Sequence, residues 1–435
     1  MNSRLRVLLI GRRFWPHGSI DSAGHLIQLA CGLHRRGVHV EVLTPRYASS
    51  WNEDFCFREI RVHRPASAPR SDWSMGRYMR QMSNWMRVSA KSFDLLLVDS
   101  VREESIAAIE TAREIGSATV LRAAGFGEQG DIDWWETSRA ARRCLGFAKT
   151  ADQIIADGAA SHRALLSRGF VPSRVRRIDT GFEPAPNPAV ADRVAGRRAL
   201  ASINSDFQAP PDHPVAVCVG SMERDCGMEI LIESARHLVA RYPNLHLWFI
   251  GDGSQRDSFY ETLRGDGVRA SIVMPGSFAD LGDVYAAADL FVQLGDCGLE
   301  YQLPKALSSE LPVVVIDSDA SRELIDGKLT SRSSGTMVGG QVERGEQVSQ
   351  PQKPSEVQES LEHWFQGGNG KSFRTAMRSA LDDLSASRER AARLRRQLVR
   401  RRSQSETIDD YVRLLEQVMQ NRLGNSHGPS IGAVS

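Results

Sequence analysis

The chain has 435 residues, with 55 Lys and Arg against 53 Asp and Glu, a formal net charge of +2 and 41% hydrophobic residues. That length suits two or possibly three domains, and the apolar fraction excludes a disordered chain. The near-zero net charge argues against a whole-protein nucleic-acid binder, and the longest apolar runs, such as Val215–Val219, fall far short of the about 20 residues a membrane-spanning helix needs.

The chain opens directly into a strand pattern with no long apolar region or small-residue cleavage site, so no signal peptide is expected. Six cysteines, at positions 31, 56, 144, 218, 226 and 297, show no paired spacing, which fits a reducing, cytoplasmic compartment and no zinc site.

Arg6–Ile10 reads as a buried strand, Gly24–Arg36 as a helix with Leu26, Leu29, Ala30 and Leu33 on one face, and Gly37 as its stop. Val38–Leu43 is the next strand, so the order implies a parallel βαβ unit. Phe93–Val98, Ala118–Leu121 and Gln153–Ala156 continue as strands, with a helix near Glu103–Ile115. Met75–Lys91 reads as an amphipathic helix. Its Met75, Met79, Met82 and Met86 stripe is either core contact or, with Arg77, Arg80, Arg87 and Lys91 alongside, a peripheral membrane face.

A proline-rich stretch over 183–214 marks the join between domains, with 191–214 as the linker. The pattern then restarts: strands at Val215–Val219, Leu245–Ile250, Ile272–Met274, Leu290–Leu294 and Val313–Ile316 alternate with helices at Met228–Ala240, Ser254–Leu263 and Leu281–Ala287. Leu329–Ser355 reads as a Gly-, Ser- and Gln-rich insertion. Ser387–Arg402 carries eight arginines against one acid, and Ile408–Met419 is a last amphipathic helix. The expected layout is α/β: a Rossmann-like domain over 1–190, a second over 215–385, helices over 386–420 that return to the first, and a disordered tail over 421–435.

Several segments together resemble the retaining glycosyltransferases of family 4, which have the GT-B fold. They are residues 7–19 (Val-Leu-Leu-Ile-Gly-Arg-Arg-Phe-Trp-Pro-His-Gly-Ser), 177–183 (Arg-Ile-Asp-Thr-Gly-Phe-Glu), 219–221 with 226–235, 247–253, 273–278, 285–292, and 311–315 with Arg322-Glu323-Leu324-Ile325. The resemblance implies two Rossmann-like domains facing a cleft. In that cleft a nucleoside-diphosphate sugar, held mainly by the second domain, gives its sugar with retention to a saccharide or lipid-linked acceptor on the first. Neither metal nor cofactor is implied. A leaving diphosphate calls for helix N-termini and arginine forks.

The usual polar positions of the family are altered here. Ser221 and Cys226 stand where the family has Arg and Lys; Arg224 between them either replaces that pair or is a surface arginine. Counting back from Pro312, the two family glutamates fall on Cys297 and Lys305. Lys305 suits a phosphate, and the nearby Glu300 is either the substitute carboxylate or an acid favoured at a helix N-terminus. The family's His falls on Ala124, or on Arg122 if the alignment slips. The resemblance implies Glu300 and Arg122 as catalytic, and Gly18, Ser19, Ser221, Arg224, Gly251, Gly276, Phe278, Leu299 and Lys305 as donor-binding. Arg13, His17 and Asp131 fall on the acceptor side. The altered positions leave open a catalytically silent protein that binds a sugar nucleotide or a partner, and an epimerase on the same fold.

Other motifs read more plainly. Gly251-Asp252-Gly253 opens like a dinucleotide fingerprint, but Arg256 stands at its third glycine. Asp317-Ser318-Asp319 follows a core strand and reads as a turn and helix cap rather than a metal site.

Overall fold

In a computed structural model, residues 5–19, 22–126, 130–183, 190–224, 226–327 and 363–426 are described. The Leu329–Ser355 insertion, residues 184–189 of the proline-rich stretch and the tail beyond 426 lie outside them.

Two α/β domains each carry a largely parallel sheet. In the first, β1 (Arg6–Ile10), β2 (His39–Leu43), β3 (Asp54–Phe57), β4 (Ile60–His63), β5 (Leu95–Asp99), β6 (Ala118–Ala123), β7 (Gln153–Ala156) and β8 (Val175–Arg177) lie in the order β3-β4-β2-β1-β5-β6-β7-β8. Only the edge pair β3–β4 is antiparallel. In the second, β9 (Val215–Val219), β10 (His246–Ile250), β11 (Ile272–Gly276), β12 (Leu290–Gln293), β13 (Val313–Ile316) and β14 (Trp364–Phe365) lie in the order β11-β10-β9-β12-β13-β14, all parallel. The central strands are buried along nearly their whole length, as expected of a parallel sheet covered by helices on both faces.

The β3–β4 hairpin has no counterpart in the sequence pattern. Its turn residues Arg58 and Glu59 have φ of 47° and 72°, the backbone of a type I′ turn without the Asn or Gly that usually announces one. Gly251 shows the opposite case. Its φ is +153° and a Cβ there would lie 1.8 Å from the Gly220 carbonyl oxygen, so only glycine lets the ends of β9 and β10 close together.

The segment expected as a linker is largely part of the second domain. Helix Val190–Ile203 buries Arg197, which donates to Asp289 Oδ2 (2.6 Å) and to the Ala287 carbonyl (3.1 Å). Leu200 and Phe207 join the core, with the Phe207 ring 4.9 Å from Trp248. Helix Leu384–Arg401 packs Leu394 and Leu398 on that same core. Helix Gln404–Ser426 crosses back, and its Ile408, Tyr411, Leu414, Leu415 and Val418 complete the apolar layer over β1, β2, β5 and β6. Of the two C-terminal helices, then, only the last returns to the first domain.

Helix Asp72–Ser89 turns its methionine face inward. Tyr78, Met82 and Met86 are buried, and Met75, Met79 and Trp85 pack against the same core. Arg77 and Arg80 lie exposed, Arg87 pairs with Glu114 (2.6 Å), and Trp73 is 83% exposed. Among the described residues, no helix is long and apolar enough to cross a membrane.

Candidate functional site

The C-terminal ends of both sheets face one interdomain cleft of about 220 Å³, where open α/β sheets place their ligands. Asp99 closes β5, Arg122 lies in β6, and Ser221 and Asp296 follow β9 and β12. Strand ends therefore supply the chemistry and the helices fix its height.

Arg122 is fully buried and organises the floor. Its Nη1 donates to Asp99 Oδ1 (2.7 Å), and its Nε and Nη2 donate to the two oxygens of Asp157 (3.0 and 2.6 Å). His25 Nδ1 lies 3.2 Å from the same Asp99 oxygen. Burial alone would raise the Asp99 carboxyl, but Arg122 and His25 hold it well below the usual carboxylate range. With its fork committed to two carboxylates, Arg122 is a positioning residue.

Glu300 comes from the other domain. Gly298, at φ +67°, caps helix Leu299–Ser308 and sets Glu300 in its first turn. Glu300 Oε1 lies 3.8 Å from Arg122 Nη2. Burial pushes the carboxyl up to about 7, against the pull of Arg122. Glu300 lines the cleft, and its buried Oε2 has no hydrogen-bond partner among the described residues. A buried carboxyl with a raised pKa that faces a cleft is a candidate functional group. Asp296, one turn earlier, also faces the cleft. Burial and then the nearby Asp319 and Asp133 charges raise its carboxyl, although Ser318 Oγ donates to it (2.6 Å).

The first-domain wall is built around Asp131. Its two oxygens accept from Ser100 Oγ (3.0 Å), the Val101 N–H (2.6 Å), Arg102 Nε (2.7 Å) and the Ala124 N–H (2.9 Å). One buried carboxylate thus joins the ends of β5 and β6 and orients Arg102. Beside it, Arg12 donates to Glu103 and to both oxygens of the buried Glu104 at 2.8 Å each. Burial would raise Glu104, but Arg12 holds it below the usual range.

Of the residues singled out from sequence, Glu300, Arg13, Asp131 and Ser221 meet at the cleft, with Arg122 directly beneath. The others lie elsewhere for identifiable reasons. Gly18, Ser19 and Phe278 form an interdomain backbone contact: the Ser19 N–H donates to the Phe278 carbonyl (3.2 Å), and the Phe278 N–H donates to Ser19 Oγ (2.9 Å). A Cβ on Gly18 would lie 2.5 Å from the Ala279 carbonyl oxygen. The Gly251 N–H donates to the Gly276 carbonyl at the end of the second sheet (3.0 Å), and Leu299 is a core side chain. Lys305 lies about 140° around the helix from Glu300. It faces a second interdomain cavity of about 480 Å³, where its Nζ meets Glu183 at 2.5 Å. His17 packs among aromatic rings, 4.7 Å from Tyr47 and 5.4 Å from Trp51. Arg224 is exposed and outside the cleft lining, where Ser221, Glu223 and Cys226 stand instead.

Sequence reading missed Arg12, Arg102, Asp99 and Asp296. Asp99 had a signal, an acid closing the apolar run Leu95–Val98; the two arginines had none, because their carboxylate partners come from other segments. Asp317-Ser318-Asp319 is a turn and cap: Ser318 caps helix Asp319–Asp326 and Asp317 accepts from Arg322 (2.7 Å).

Residues 23–185 match the family model described as Glycosyltransferase Family 4, and residues 213–343 that described as Glycosyl transferases group 1. A stretch of 95 residues is 33% identical to the lipopolysaccharide core biosynthesis glycosyltransferase LpsE of Rhizobium meliloti; it covers 22% of this chain and spans 27% of that relative's length. The fold is similar over 95% of this chain, and 100% of the other, to Anabaena HepE solved with UDP and glucose (TM-score 0.66, 14% identity). It is similar over 96% of this chain, and 100% of the other, to the sucrose-phosphate synthase of Thermosynechococcus elongatus (TM-score 0.64, 14% identity). Similarity to the lipopolysaccharide glycosyltransferase WaaG covers 94% of this chain and 99% of that one (TM-score 0.65, 13% identity). At those identities the structural likeness establishes the GT-B fold.

Proposed function

We propose that this chain, which carries the two glycosyltransferase domains of a GT-B protein, moves a sugar from a nucleoside-diphosphate sugar to a saccharide or lipid-linked acceptor. Retention of configuration and independence of metal are part of the same reading. The observation that carries it is Glu300: a cleft-facing carboxyl, buried, near-neutral and with one oxygen unpartnered among the described residues. Such a group hydrogen-bonds a sugar hydroxyl in either protonation state, and Arg122, itself fixed by Asp99 and Asp157, faces it from below.

The acceptor we propose belongs to surface polysaccharide or lipopolysaccharide assembly, in line with the LpsE likeness. Work at the cytoplasmic face of a membrane is supported by the exposed Trp73, Arg77 and Arg80 of helix Asp72–Ser89, an aromatic and basic face suited to anionic lipid. Isothermal titration of the folded chain against a panel of nucleoside diphosphates tests the donor site; binding is expected, and no binding to any member sinks the reading.

A second reading, a catalytically silent sugar-nucleotide binder, is favoured by Ser221 and Cys226, neutral side chains at the cleft positions where the family carries cations. Turnover of the bound nucleotide sugar with a pooled acceptor extract excludes it.

A further inference from the structure

The charges on the two cleft walls are unequal. Among the described residues that line the cleft, the second domain contributes Ser221, Glu223, Cys226, Asp296 and Glu300, and no cation. The cations are Arg12, Arg13 and Arg102, all from the first domain, where the two lining carboxylates, Asp99 and Asp131, are paired with Arg122 and Arg102. Resting on the reading that a nucleoside-diphosphate sugar binds here, we infer that the first-domain arginines, Arg13 and Arg102 foremost, hold the diphosphate in place of the second-domain loop at 221–226.

Electrostatics requires a diphosphate to seat against cations and away from carboxylates, most strongly in a cleft where water screens poorly. Placed at Ser221 and Cys226 it would meet Glu223, which is fixed there by the Ser254 N–H (3.0 Å) and Oγ (2.5 Å). Against the opposite wall it meets guanidinium groups already held in position. Asp131 grips Arg102 by Nε at 2.7 Å, and the Arg102 guanidinium lies 4.2 Å from the Trp134 ring centre. Arg12 is held by Glu103 and Glu104, and the Arg13 guanidinium lies 6.0 Å from the Tyr47 ring centre. Planar forks fixed before the ligand arrives lose little entropy on binding phosphate oxygens. Asp131 is thus a positioning residue, and its four hydrogen bonds have a purpose beyond joining two loops.

The inference is tested with the full chain by titrating uridine, UMP and UDP, or the matching series of whichever base the wild type prefers. Arg13→Ala and Arg102→Ala are expected to weaken the diphosphate at least tenfold and to leave the nucleoside unchanged. Arg224→Ala is expected to shift neither by more than twofold. Arg102→Lys accompanies Arg102→Ala in case removal of the Asp131 partner unfolds the wall, and thermal melting checks every variant. If the wild type binds no nucleoside diphosphate, the functional reading itself falls. If it binds UDP and the Arg13 and Arg102 variants bind it equally well, the reading stands and this inference is overturned. Unchanged UDP affinity with weakened binding of glucose 1-phosphate also overturns it, placing the anion on the acceptor.

Discussion

Arg122 Nη2 and Glu300 Oε1 stand 3.8 Å apart, joining a strand of the first domain to a helix of the second through a buried contact. The pair is unequal in its other bonds: Arg122 donates three hydrogen bonds to Asp99 and Asp157, whereas Glu300 Oε2 has no hydrogen-bond partner among the described residues. The arginine is the fixture, and in the proposed function the glutamate is the group that meets the sugar.

Arg122→Leu would leave Asp99 and Asp157 buried without their counter-charge. Removing one partner of such a network costs about 3–5 kcal/mol. Thermal unfolding should show a large loss of stability or failure to fold, and a melting temperature equal to the wild type would show that water replaces the guanidinium.

The Glu300 carboxyl is raised from 4.5 to about 7, so the folded chain binds this proton more tightly than the unfolded one. The associated stability is fully present below the unfolded value and falls as the pH rises from roughly 4.5 to 7, then levels off. Glu300→Gln should remove this slope and make the variant more stable than the wild type at pH 8, by up to about 3 kcal/mol. Urea unfolding at pH 5 and pH 8 measures the difference. Asp99 acts in the opposite sense, since its depressed value gives stability present above the unfolded pKa of 3.8 and lost in acid.

Glu323 of the second domain caps a first-domain helix, accepting from the Ala159 N–H and from the Ala160 N–H (3.0 Å). Glu323→Ala should cost about 1 kcal/mol, as the loss of a helix cap does, and should let the domains separate. Small-angle scattering of the ligand-free chain is expected to show a larger radius of gyration than the wild type; an identical radius would assign closure to the remaining interdomain contacts, Ser19–Phe278, Arg122–Glu300 and Lys305–Glu183 among them.

Gly251→Ala should prevent the second domain from folding, because both the added Cβ and the Gly220 carbonyl 1.8 Å from it belong to backbone. Gly37→Ala is the control: its φ is +85°, with nothing within 4 Å of a Cβ, so it should cost only the about 1–2 kcal/mol of a left-handed backbone. Soluble yield and circular dichroism separate the two.

Much of the fold is legible along the chain because its strands are buried on both faces and its helices carry an apolar stripe, patterns that local side-chain order alone produces. The β3–β4 hairpin escapes that reading because its turn lacks glycine, and the Ala-rich helical piece at Val190–Ile203, legible as a helix, reads as linker because its flanking prolines hide its domain until Arg197 meets Asp289. In the candidate site, Glu300 was legible as a carboxylate near a motif position, whereas Lys305 was misleading because five helical residues turn it away toward Glu183.

The sequence by itself determined two Rossmann-like units, their order and the resemblance to glycosyltransferases of family 4, since those follow from periodicity and from short contiguous motifs. Only the tertiary structure decided which charges face the cleft. Arg102 and Asp131, Arg12 and Glu104, and Arg122 and Glu300 are each far apart in the chain. Whether such an ion pair forms depends on which strand ends converge, and that is set by packing between elements rather than by the order of residues within one.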